Sequence, residues 1–191
     1  MKRTLWILAA LMLGACASVD KVEKGNRMLG ERMHVEIDGP WNHLNLPNSG
    51  PAQIWTMEGI TVDELLLYSG LKDGQVIHGY SQNIPNAKSF HFKSSMRPDE
   101  IVSLWEGALT RDGSRFKLLK LEPVQFAGHP GFRFEYELVR KFDNVPMRGL
   151  GYATVSKGEL FAMLYTAPRL TFFARHRERV EQMARSATLK D

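Results

Sequence analysis

The side chains able to do chemistry are few and widely spaced. Cys16 is the single cysteine, so no internal disulfide can form. The histidines His34, His43, His78, His91, His129 and His176 show neither His-x-His nor His-x-x-x-His spacing, the patterns that place two ligands on one strand or helix face. No cofactor and no metal are expected, and no catalytic residue is assigned. No serine stands in a Gly-x-Ser-x-Gly elbow. Ser94 and Ser95 precede a helix start, where capping is the simpler role. Gly149-Leu150-Gly151 is half of a dinucleotide fingerprint, but it leads into a strand, with no helix N-terminus to hold a pyrophosphate. A close approach within a sheet accounts for it. Glu135 and Glu137 share one strand face with Arg133, which reads as a solvated face. Trp41 and Trp55 flank a Pro/Gly-rich loop. Exposed there, they would suit a partner or a glycan, and core packing is the plainer expectation.

Cys16 alone has neighbours that specify a reaction. Lys2 and Arg3 precede an apolar run from Leu5 to Leu13, far short of the ~20 residues that span a bilayer. Leu13-Gly14-Ala15-Cys16 then resembles the bacterial lipobox. The resemblance implies cleavage before Cys16, a thioether-linked diacylglycerol on its sulfur and an acyl chain on its new amino terminus. Two such chains already hold a protein on a membrane, at about 0.8 kcal/mol per buried methylene. An ordinary leader cut after Ala17 is the alternative, since Ala15-Cys16-Ala17 also has small residues at both ends. Ala17, rather than Asp, after the cysteine resembles the sorting signal for the outer membrane, facing the periplasm.

The body that Cys16 would carry is globular in composition. Lys2 and Arg3 are two of the 25 basic residues, which leaves 23 against 21 acidic ones. A net of +2 is too mild to indicate nucleic acid. The expected division is a signal peptide over 1–15, a lipidated tether over 16–30 and one α+β domain over 31–191. Alternation predicts strands over 31–38, 52–57, 62–69, 89–93, 116–124 and 132–140, and a pair at 147–156 and 159–166. The last has apolar residues on both faces, so it is expected to be central and covered on both sides. Residues 41–51 read as loop. A helix is predicted from Pro98, with Ile101, Leu104, Trp105 and Ala108 in one stripe. A second runs from Pro168 to about Ala187, with Phe173, Val180, Met183, Ala184 and Ala187 on one face. His176 lies on that face as a partly buried, hydrogen-bonded residue. Arg175, Arg179 and Arg185 lie outside it, where they could meet anionic headgroups, but Glu178 and Glu181 make the face mixed.

Gly128-His129-Pro130-Gly131, the stretch from Gly158 to Pro168, and Ser186-Ala187-Thr188-Leu189 occur in an order that resembles the PsbP-like fold. The resemblance covers residues 31–190. It implies an α+β sandwich, an antiparallel sheet flanked by two main helices, and a non-enzymatic binding or assembly module. No binding motif is carried over. The expectation is therefore a module held at the membrane through Cys16, meeting an envelope protein and no nucleic acid. A carrier of a lipid or glycan fragment is the alternative, and an enzyme of unknown type the third reading.

Overall fold

The structure is a computed structural model that describes residues 18–46, 50–77 and 90–190. The leader, Cys16, Ala17 and His78 lie outside the described residues. Strands β1 (Ser18–Val22), β2 (Gly25–Leu29), β3 (Met33–Ile37), β4 (Trp41–Asn45), β5 (Gln53–Thr56) and β6 (Glu64–Lys72) precede helix α1 (Pro98–Leu109). Then come β7 (Arg115–Phe126), β8 (His129–Val139), β9 (Pro146–Ser156), β10 (Glu159–Pro168), helix α2 (Phe172–Ser186) and β11 (Thr188–Leu189). The large sheet runs β1-β4-β5-β6-β10-β9-β8-β7, and β11-β3-β2 form a small one. All paired strands are antiparallel.

The double-sided alternation of the central strands builds a three-layer body. In β10, Leu160, Ala162 and Leu164 point to one face, where Ile101, Val102 and Trp105 of α1 pack. Phe161, Met163 and Tyr165 point to the other, under Phe173, Val180, Met183 and Ala184 of α2. β6 alternates in step, with Leu65 and Leu67 toward α2 and Leu66 and Tyr68 toward α1. The small sheet adds Leu29, Met33, Val35 and Ile37 to the α2 side. This is the expected α+β architecture.

Several local readings change. Residues 18–29, expected as a tether, form β1 and β2. β1 is an edge strand whose side chains face water, so its pairing with β4 needs no apolar pattern. β4 replaces an expected loop, because Trp41, at its start, is buried while its Asn and His residues stay partly wet. Pro168 ends β10 opposite Met147 rather than opening α2, whose N-cap is Thr171. At α1 the N-cap is Arg97, whose amide donates to Glu100; the Ser94 amide is taken by Asp73. The expected strand near residue 91 is a single bridge, Val76 with His91, although Phe92 is buried as its alternation implied.

The antiparallel register gives the large sheet two ends. One end carries the turns after Lys72, Phe126 and Ser156; Ser18, on the outermost strand, pairs with Asn45 and through β5 lies level with Leu67 and Met163, at the middle of the central strands. At the other end lie the loop 57–63 between β5 and β6, the hairpin 140–145 between β8 and β9, and the link 169–171 into α2.

Candidate functional site

Buried polar contacts hold the second end together. Asp63 is buried, and its carboxylate accepts from the Thr56 hydroxyl at 2.6 Å, the Glu58 amide at 2.8 Å and the Met57 amide at 3.1 Å. Three donors on one carboxylate fix the path of loop 57–63. The loop then offers Glu58 to the first turns of α2. His176 Nε2 donates to its carboxylate at 2.7 Å and Arg175 at 3.0 Å. His176, then Arg175, hold the Glu58 carboxyl below its ordinary range. His176 Nδ1 is buried without a partner among the described residues. On the hairpin, Arg140 pairs with Asp143 at 2.7 Å and donates to the Thr61 carbonyl at 2.6 Å, which joins two of the three connections.

Each connection also exposes a large apolar side chain: Ile60 at 41%, Phe142 at 73% and Leu170 at 77%. Phe142 is backed by the Arg140 guanidinium, 4.9 Å from its ring centre. Fixed backbone under exposed apolar groups suits contact with another molecule, because little order remains to be imposed on binding.

A recess of about 80 Å³ opens at the same end, on the α1 side. Its walls are Ile60, Val62, Leu138 and Met147 with Leu109, the last residue of α1, and Asp63, Arg140 and Thr166 also line it. Glu64 faces into it. Cross-strand register places Glu64 beside Thr166, Thr166 beside Gly149, and Gly149 beside Tyr136. The Tyr136 hydroxyl bonds Thr166 Oγ1, and its ring lies so close to Gly149 that a Cβ there would collide with it. Gly151 accommodates the Phe134 ring in the same way. The Glu64 carboxyl has no hydrogen-bond or ion-pair partner among the described residues. Burial, and then the nearby Asp63, push it up to about 7.

A second polar cluster lies beneath α2. Arg133 and Glu135 are each only 8% exposed, which corrects the solvated face expected for them. Arg133 pairs with Glu135 at 2.6 Å, Glu122 at 3.0 Å and Glu181 at 3.2 Å, and donates to the Tyr152 hydroxyl at 3.1 Å. Glu135 also takes Arg148 at 2.9 Å and Arg177 at 3.3 Å. Burial disfavours both charges, yet Arg148 and Arg133 keep the Glu135 carboxyl below its ordinary range, and Glu135 and Tyr152 raise the Arg133 guanidinium. The period-two pattern showed these side chains on one face. It could not show that a helix from the end of the chain covers that face.

Other expected candidates disperse. Trp41 and Trp55 are buried, 6.3 Å apart, in the α2-side core. Arg185 pairs with Glu178 at 2.6 Å, in keeping with a mixed helix face. Among the described residues, no three His, Cys, Asp or Glu side chains gather as metal ligands. A 410 Å³ depression lined by His43, Leu46, Pro51 and Gln53 is open to solvent rather than enclosed. No described helix is long and apolar enough to cross a membrane. The sequence did carry a signal for Glu64. It sits in phase with the core residues Leu66 and Tyr68, where an apolar side chain is the rule.

Compared by sequence, the chain matches no protein-family model and no curated protein. Its fold is that of PsbP. The solution structure of cyanobacterial PsbP (CyanoP) from Synechocystis covers 93% of this chain and 99% of its own, at TM-score 0.59 and 13% identity. Weaker likenesses, each at TM-score 0.39, are a Pseudomonas aeruginosa protein of unknown function described as a putative regulator, and LpqN of Mycobacterium tuberculosis, described as involved in cell envelope biogenesis. The first is 17% identical over 84% of this chain and 93% of its own; the second is 9% identical over 94% and 88%.

Proposed function

We propose that this protein is a lipid-anchored, non-catalytic binding or assembly module of a bacterial envelope, which presents the loop end of its large sheet to a protein partner. The observation that carries this reading is the group of exposed apolar side chains on connections whose backbone Asp63 and Arg140 hold in place. Ile60, Phe142 and Leu170 are exposed at the loop end, and Ser18 begins β1 on the outer edge of the sheet, level with its middle. Cys16 stands two residues before Ser18. A lipid on Cys16 ties the β1 edge of the sheet to the bilayer and leaves the loop end to a partner. Ala17 supports the outer membrane, with the body in the periplasm.

The envelope assignment is tested by mass spectrometry of the protein from its native host. The expected amino terminus is Cys16, carrying a diacylglycerol on sulfur and an acyl chain on nitrogen. An unmodified Cys16, or a terminus after Ala17, contradicts it.

A further inference from the structure

We propose that the recess at Glu64 is a socket for a single lysine side chain of the protein partner. The inference rests on reading the loop end of the sheet as the contact surface.

Size excludes larger occupants. About 80 Å³ is well below the roughly 300–1,000 Å³ of small-molecule sites and matches the end of one side chain. Shape and polarity then select among side chains. Ile60, Val62, Leu109, Leu138 and Met147 offer apolar walls, and one carboxyl offers the polar contact. Lysine has a long methylene stem and a compact charged head, which divides between wall and carboxylate in that way. A guanidinium is wide and planar and needs room to set its fork of donors against both carboxylate oxygens, more than a recess of about 80 Å³ gives.

The charges around the socket favour a cation. Asp63 stands next to Glu64 and spends its oxygens on backbone amides and a hydroxyl, with no cation paired to it among the described residues. Leu109 brings the C-terminal end of α1, the negative end of the helix dipole, and no basic residue lies in that last turn. The Thr166 and Tyr136 hydroxyls satisfy each other. The nearby cation, Arg140, is neutralised by Asp143 and held by the Thr61 carbonyl, so it neither reaches Glu64 nor leaves a free charge to repel a guest. Glu64 titrates near 7, so an incoming ammonium displaces a proton and binding tightens as pH rises through that value.

The test uses the soluble chain and n-butylammonium as a lysine mimic, with 1-butanol as its neutral counterpart. The Glu64 carboxyl carbon is titrated by NMR, alone and with each probe. We expect a midpoint near 7 that falls by on the order of one pH unit with butylammonium and holds with butanol. Methyl signals of Leu109, Leu138 and Met147 move with butylammonium in the wild type and stay fixed in Glu64→Gln. A midpoint in the ordinary carboxylate range, or equal responses to both probes, overturns the socket. Absence of any protein adduct from a photocrosslinking amino acid placed at position 142 in host cells, with butylammonium binding intact, would sink the contact surface and leave an amine site without a protein partner.

Discussion

Glu135 and Glu64 project from opposite faces of the same sheet and meet opposite treatment. Glu135 is surrounded by Arg133, Arg148 and Arg177, and its carboxyl is held below the ordinary range. Glu64 has apolar walls and no cationic partner among the described residues, and its carboxyl is pushed up to about 7. A buried charge in a satisfied network fixes the relation of helix to sheet. A half-buried carboxyl left without a partner destabilises the fold on its own account and is therefore a place where something outside the chain can be accommodated. The first cluster is architecture, and the second is an opening for a ligand.

The comparison breaks most readily at Arg133. Arg133→Met leaves Glu122, Glu135 and Glu181 short of their shared cation, and a loss of about 3 kcal/mol or more is expected in urea denaturation. A loss under about 1 kcal/mol would mean that the network is ornamental. Asp63→Ala comes next. It orphans two backbone amides and the Thr56 hydroxyl, which should remove about 2–3 kcal/mol and raise hydrogen exchange across residues 57–63.

Glu64→Gln carries the opposite sign. A raised folded value means that the native state binds more protons than the unfolded chain between about 4.5 and 7. The wild type therefore loses stability as pH rises across that window. An amide in place of the carboxyl cannot titrate, so the variant should match the wild type near pH 4.5 and exceed it by about 1–3 kcal/mol at pH 8.5. Equal stability at both pH values would put Glu64 in the same class as a solvated surface carboxylate. The smallest effect on folding is expected at Phe142. It is 73% exposed, so Phe142→Ser should shift stability by less than about 0.5 kcal/mol while weakening partner contact.

The fold was legible because its decisive signals are local. Phe161 to Leu164 alternate apolar residues on both faces of β10, and that pattern alone requires two covering layers. The apolar stripes of α1 and α2 supply them. β1 escaped because an edge strand exposes its side chains and is recruited through backbone hydrogen bonds, which leave no pattern in residue type. Pro168 misled because a proline that opens a helix also suits a strand's last position, and only the pairing with Met147 decides. The site was less legible, since its parts converge from the 57–63 loop, the 140–145 hairpin and the start of α2. Glu58 and His176 are 118 positions apart and touch at 2.7 Å, a contact no spacing rule anticipates. Cys16 is the converse case, since the lipidation proposed for it rests wholly on adjacent residues.

Site-specific photocrosslinking in living host cells tests the central claim most directly. A benzophenone amino acid is placed at position 142 on the loop end, or at the exposed Gln125 at the opposite end of the sheet. The account predicts one discrete protein adduct from position 142 and none from position 125. Adducts from position 125 alone, or none from position 142 when the lipidated protein is present at normal level, would contradict it.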